Sequence, residues 1–264
     1  MKRPIITLTT DFGLSDHFVG VMKGVILGIQ PAAEVIDISH GVEPYAIADG
    51  AFTIAQTYRY FPKKTVHVVV VDPGVGSARR PLLAEMAGQF FVAPDNGVLS
   101  MIFAREQSKV RHITSEGYFL HPLSRTFHGR DVFSPVAAHL ASGVTPAKFG
   151  KRIEDYLRAS FDQPIQTGNN TWTGVILKAD RFGNLVTNFH IDQFPDIRTH
   201  AFSLKAGSQA ITRLALTFSE HAPGDLFAIV GSSGYLEVAV NQGSAAKALG
   251  CGAGSPVELT TIHP

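Results

Sequence analysis

From residue 5 to about residue 140, short β-branched runs alternate with longer segments of helical period. IITLTT (5–10) has the character of a strand. DHFVGVMKGVILGIQ (16–30) gathers Phe18, Val21, Met22, Val25 and Ile29 on one face and stops before Pro31, which predicts a helix. EVIDIS (34–39) is again strand-like, and PYAIADGAFTIAQTYRYF (44–61) is helical, with Pro44 suited to a first turn. VHVVVV (66–71) is apolar without alternation, as a strand covered on both faces should be. LLAEM (82–86) and QFFVA (89–93) flank Ala87-Gly88 and read as a hairpin. RDVFSPVAAHLASG (130–143) predicts a helix closed by Gly143, with Pro135 confined to its first turns. The succession predicts an α/β domain with a largely parallel or mixed sheet and helices packed on it.

Between 159 and 172 the periodicity fades into Gln, Asn, Thr and Gly, the composition of a linker. TGVILKAD (173–180) and NLVTNFHI (184–191) then bracket a turn, LFAIV (226–230) and YLEVAVN (235–241) bracket another, and PVELTTI (256–262) follows. The expected organisation is an α/β domain over 1–158, a linker over 159–172, and a smaller, mostly β, barrel-like domain over 173–264.

Composition narrows the function. The chain has 264 residues, 45% hydrophobic and 17% charged, enough for two cores. A formal net charge of +1, with Lys and Arg scattered, lacks the basic stripe that nucleic acid requires, so a small-molecule partner is expected. No apolar run is long enough to span a membrane and no signal peptide is evident. The single cysteine, Cys251, leaves no internal disulfide and suits a cytoplasmic location.

Candidate chemistry concentrates at turns. VVVVDPGVGSARRP (68–81) is no dinucleotide fingerprint, because Arg79 stands where the third glycine belongs, and no P-loop, because Gly-Lys-Ser/Thr is absent. What remains is Asp72 at the carboxyl end of a strand, where ligands bind in open α/β sheets, with Arg79 near enough to return to it. Capping of the turn explains Asp72 equally well. TTDFG (9–13) repeats the arrangement: Asp11 suits a ribose diol or a helix N-cap. Asp95 in APDNG (93–97) belongs to an Asn-Gly turn and reads as structural. His128 in TFHGRD (126–131) offers a base near neutral pH beside a glycine that opens space, or a buried structural histidine. ADRFGNLVTNF (179–189) packs Asp180, Phe182, Asn184 and Asn188 around one glycine, and GSSGYLEVAVNQGSAA (231–246) sets small residues on both sides of a strand. Hairpin turns account for both, and so does a pocket for a purine and an ammonium group.

In their order and spacing, these motifs together resemble the S-adenosylmethionine hydroxide adenosyltransferases, or S-adenosylmethionine hydrolases, relatives of the adenosyl fluorinases and chlorinases. The resemblance runs from about residue 5 to residue 260. It implies a two-domain subunit, a homotrimer with active sites between neighbouring subunits, and displacement of methionine from C5′ of S-adenosylmethionine by water or hydroxide, giving adenosine and L-methionine. Residue by residue, it implies that Asp72, Arg79 and His128 activate water and that Asp11 holds the ribose. By the same resemblance Asp180 holds the methionine ammonium group, Phe182 and Asn184 line the adenine pocket, and Ser232 contacts the methionine carboxylate. Tyr45 and Phe127 are further pocket residues by that match. The halide-using relatives carry non-ionisable residues at the positions of Asp72 and His128 and an arginine at Ser233, so hydroxide is the expected nucleophile.

The chemistry concurs. A sulfonium leaves as a neutral thioether and needs neither acid nor metal, so the catalytic demand falls on the nucleophile, and no cofactor is expected. Within the set, His128 with Arg79 is expected to activate water and Asp72 to orient. Rival readings are a chlorinase-like halogenase, a metal-dependent hydrolase using Asp11, Asp72, Asp95 and His128, and a non-catalytic sensor of S-adenosylmethionine or adenosine.

Overall fold

Residues 3–161 and 163–262 are described by the computed structural model. The chain divides into two compact units, Met1–Ala159 and Ser160–Pro264.

In the first unit the chain runs β1 (Ile5–Thr10), α1 (Phe18–Ile29), β2 (Glu34–Ser39), α2 (Ile47–Thr57), β3 (Val66–Val70), β4 (Pro81–Met86), β5 (Gln89–Pro94), α3 (Ser100–Phe103), β6 (Lys109–His112), α4 (Ser134–Ala141) and β7 (Arg152–Ile153). The seven strands form one mixed sheet in the order β2-β1-β3-β5-β4-β6-β7. β1 pairs in parallel with β2 and β3, and β3 with β5, while β4 is antiparallel to β5 and β6. Helices α1 and α4 pack on one face, where Ile6, Leu8, Val66, Val68 and Val70 join Met22, Ile26, Phe133 and Val136 in a buried core. All five residues of β3 are buried, as its unbroken valines predict.

Two helices differ from the sequence expectation at their starts. The second begins at Ile47 rather than Pro44, because Tyr45 has a left-handed backbone (φ +67°) and its amide is bound by Asp11 outside the helix. The fourth begins with a π-type turn, Gly129–Phe133, before α4, and Pro135 lies in the first turn of α4 where no amide is needed.

The second unit comprises β8 (Ile165–Gly168), β9 (Thr171–Ala179), β10 (Leu185–His190), β11 (Ala201–Ala206), β12 (Gln209–Ile211), β13 (Leu214–Ala215), β14 (Leu226–Val230), β15 (Tyr235–Val240), α5 (Ala245–Leu249) and β16 (Pro256–Ile262). They make one curled, half-barrel sheet ordered β12-β11-β16-β9-β10-β15-β14-β13, with β8 paired to β9. Within 159–172, the stretch expected as a linker, Asn169-Asn170 forms the turn that folds β8 back on β9. Among the described residues, no helix is long and apolar enough to cross a membrane.

Candidate active site

The connection after β1 runs to β2 on one side and the connection after β3 runs to the other side of the sheet, so the carboxyl ends of β1 and β3 mark the topological switch point where ligands bind in open α/β sheets. Thr10 of β1 is in register with Val70 of β3, which brings the loops carrying Asp11 and Asp72 out side by side.

The loop after β3 is held tightly. Val75 donates its amide to the Asp72 carbonyl at 3.2 Å, and the Ser77 hydroxyl donates to the Gly74 carbonyl at 2.7 Å. Gly76 has φ +76°, and a Cβ there would lie 2.1 Å from the Arg125 carbonyl oxygen. Only glycine fits that approach, and it locks the loop against the segment leading to His128. Arg79 thereby returns to Asp72 in a two-pronged pair: Nε donates to Oδ1 at 2.9 Å and Nη2 donates to Oδ2. The two side chains are 8% and 4% exposed. The guanidinium also lies 5.2 Å from the Phe133 ring centre, a cation–π contact that supports its plane.

Arg79 Nη2 lies 2.9 Å from His128 Nδ1. Arginine has no acceptor, so Nδ1 supplies the lone pair, and the neutral ring carries its proton on Nε2. Burial, followed by the Arg79 charge, lowers the His128 pKa from its ordinary value, which favours that neutral form. His128 therefore presents an N–H donor from Nε2, while Arg79 Nη1 is buried with no partner among the described residues. Gly129 does not open space beside the imidazole as its sequence position suggests: a Cβ there would meet Met22 Sδ at 3.2 Å and the Phe127 ring at 3.3 Å.

Asp11 accepts the Tyr45 amide at 3.0 Å through Oδ2. Burial raises its pKa, opposed by that hydrogen bond and aided by the Asp72 charge. Tyr45 is exposed, whereas Phe127 is buried edge-on against Phe12 and Phe18. Asp95 is taken up structurally: Arg80 Nε donates to it at 2.9 Å and the Leu157 amide at 2.8 Å. Among the described residues, no three His, Cys, Asp or Glu side chains are grouped to hold a metal.

In the second unit the β9–β10 turn is built on Asp180, whose Oδ1 accepts the amides of Phe182 and Asn184, each at 2.8 Å. Its Oδ2 accepts the Asn184 side-chain amide at 2.9 Å. Asp180, Phe182, Asn184 and Ser232 line one cavity of about 990 Å³, together with Glu237 and Lys247. Asn188 instead supports the sheet, accepting the Val175 amide at 2.9 Å.

Glu237 is the cavity residue that sequence reasoning missed. It lies on β15, and burial, reinforced by the Asp180 charge, pushes its carboxyl up to about 7. Gly231 makes room for it, since a Cβ there would fall 1.8 Å from Glu237 Oε1. The available signal was one acid inside an apolar strand, YLEVAV, preceded by a glycine-rich turn.

These features define a two-domain protein, α/β then β, whose acid-lined cavity suits a cationic small molecule and whose α/β edge carries a buried Asp–Arg pair joined to a half-buried histidine. Comparison with known proteins is specific. Residues 6–150 match the SAM hydroxide adenosyltransferase N-terminal domain and residues 174–258 its C-terminal domain. The chain belongs to the S-adenosylmethionine hydroxide adenosyltransferase family. An (R)-S-adenosyl-L-methionine hydrolase from Salinispora arenicola is 37% identical, the match covering 97% of this chain and 98% of the relative. A fluorinase from an Actinoplanes species is 28% identical, with 97% of each chain covered. The crystal structure of an uncharacterized conserved protein from Thermotoga maritima superposes with a TM-score of 0.88 at 36% identity, covering 97% of this chain and 99% of that one.

Proposed function

We propose that the protein hydrolyses S-adenosyl-L-methionine to adenosine and L-methionine. The relatives' name specifies the R sulfonium epimer, and the same preference is proposed for this chain. The oxygen of water or hydroxide forms a bond to ribose C5′, the C5′–sulfur bond breaks, and its electron pair leaves with sulfur as the neutral thioether of methionine. When water is the nucleophile, its second proton passes to solvent.

The observation that carries this reading is the bridging position of Arg79 between Asp72 and His128. With Asp72 fixing the guanidinium, the buried Arg79 Nη1 and the N–H of the half-buried His128 at Nε2 are two donors able to stabilise an oxygen as it loses its proton. His128 and Arg79 then activate by donating hydrogen bonds, and Asp72 orients. An anionic oxygen meeting a cationic sulfonium cancels charge, so a pocket poor in water favours the transition state.

In this assignment Asp11 holds the ribose diol, with Tyr45 and Phe127 beside the adenosine. Phe182 and Asn184 bound the adenine, Asp180 binds the methionine ammonium group and Ser232 its carboxylate. Glu237, sharing the Asp180 cavity, adds a second carboxylate for the substrate's positive charge. A homotrimer with active sites at its subunit interfaces, in a cytoplasmic setting, completes the proposal.

The test is to incubate the purified protein with each sulfonium epimer in chloride-containing buffer, with and without chelator, and to identify products by chromatography and mass spectrometry. Adenosine plus methionine, insensitive to chelator and lost in His128→Ala with adenosine binding retained, is the expected result. Formation of 5′-chloro-5′-deoxyadenosine supports a halogenase instead, chelator sensitivity a metal-dependent hydrolase, and binding without turnover a sensor.

A further inference from the structure

Two threonines of β1 are capped by buried histidines, and the two pairs do different work. Mid-strand, Thr7 Oγ1 bonds His67 Nδ1 at 2.7 Å, and His67 stacks on Phe91 within the sheet. At the strand's carboxyl end, Thr10 Oγ1 bonds His40 Nδ1 at 2.8 Å. Thr10 Oγ1 also accepts the Phe12 amide at 3.2 Å, and the Gly13 amide donates to the His40 carbonyl at 2.8 Å. His40 thus grips both sides of Asp11, one residue before it through Thr10 and two after it through Gly13.

The other ring nitrogen faces a carboxylate. His40 Nε2 lies 3.0 Å from Asp37 Oδ1, close enough for electrostatic attraction but misaligned for a hydrogen bond, and Lys23 Nζ, on α1, donates to Asp37 Oδ2 at 2.6 Å. Although partial burial pushes the Asp37 carboxyl up, the Lys23 hydrogen bond and the nearby His40 ring hold it below its ordinary value. With its proton on Nε2, His40 accepts the Thr10 hydroxyl at Nδ1, and a free lone pair of that hydroxyl receives the Phe12 amide. The irregularity between Leu8 and Thr9 in the β1–β2 register falls where this bracing begins, and the ladder alone does not set the path of the chain into Asp11.

We infer that His40 is a positioning residue for the nucleoside end of the site: braced by Asp37 and Lys23, it fixes Asp11 through Thr10. The inference rests on the reading of Asp11 as the ribose carboxylate. Because Asp11 is, in that reading, a binding group and not one of the water-activating side chains, the loss of His40 should appear in KM and in adenosine affinity and leave kcat nearly unchanged.

Asparagine and glutamine separate the two ring nitrogens. His40→Asn keeps a polar atom where Nδ1 meets Thr10, and His40→Gln keeps one where Nε2 meets Asp37. Adenosine binding is measured by calorimetry, and KM and kcat by product formation, in the parent and in His40→Ala, His40→Asn, His40→Gln, Thr10→Val and His67→Ala. His40→Ala and Thr10→Val are expected to weaken adenosine binding and raise KM by about tenfold, the scale of one lost buried hydrogen bond, with kcat within about twofold. His40→Asn should recover most of the affinity and His40→Gln little of it. His67→Ala should lower Tm at least as much yet bind adenosine as the parent does. Parent-like affinity in His40→Ala, or an equal loss in His67→Ala, overturns the inference. Failure of the parent itself to bind adenosine overturns the ribose reading beneath it.

Discussion

Glu237 illustrates how a single residue couples pH to binding. Burial and the neighbouring Asp180 raise its carboxyl to about 7, so it is protonated on the acid side of neutrality and ionised on the alkaline side. The sign for folding follows: a raised carboxylate contributes stability below its unfolded value of 4.5, and that contribution is lost as pH rises through about 7. The sign for a cationic ligand is opposite, because only the ionised form attracts it. Affinity for S-adenosylmethionine should therefore rise about tenfold between pH 6 and pH 8, the change in the ionised fraction, while affinity for neutral adenosine stays flat. Calorimetry on the His128→Ala variant, which is expected to hold ligand without turnover, measures both, and Glu237→Gln should remove the slope. At this scale the sequence was uneven. Asp72 and Arg79 could be paired on paper because a carboxylate at a strand end and an arginine seven residues on close one short loop. Glu237 could not be singled out from the strand alone, because one acid in an otherwise apolar strand looks the same whether it meets solvent or a cavity.

At the scale of the element, the loop between β3 and β4 depends on one backbone contact. Gly76→Ala places a methyl 2.1 Å from the Arg125 carbonyl oxygen in a left-handed conformation that costs alanine about 1–2 kcal/mol before any clash is counted. The loop must shift, and Arg79 shifts with it. We expect kcat to fall by at least about tenfold, the consequence of misplacing a group by a fraction of an ångström, with adenosine affinity little changed. Gly28→Ala is the control: a Cβ on that α1 glycine meets nothing within 4 Å, so helix propensity should stabilise by about 0.5–1 kcal/mol with parent activity. Steady-state kinetics and thermal melts check the pair. Strands and helices of this unit were readable because period and breakers agree over β1, α1, β2 and β3. Helix starts were less so: Pro44 looks like a first-turn residue, and only the Asp11 bond to the Tyr45 amide reveals why α2 waits until Ile47. The strand order of the second unit was not legible, since β16 lies between β9 and β11 through pairings far apart in the chain, of which a local pattern holds no trace.

On the scale of the whole molecule, the Asp72–Arg79–His128 set belongs to the first unit and the Asp180–Glu237 cavity to the second, and the family match covers both units. The proposed trimer makes a demanding prediction from that division. A ring in which each active site takes its α/β part from one subunit and its β part from the next is heterologous, so two differently damaged chains can complement each other. One chain carries His128→Ala. The other carries Asp180→Asn, which removes the charge while asparagine retains the hydrogen-bonding habit of the turn that Phe182 and Asn184 complete. Each homotrimer should have little activity and a solution mass of about three times 28.4 kDa. Dissociating and reassembling an equal mixture gives sites whose two halves are drawn independently, so roughly a quarter of them are intact on both sides and activity should return to roughly a quarter of the parent's. Were both halves of each site supplied by the same chain, every site would carry one of the two lesions, and mixing would restore nothing.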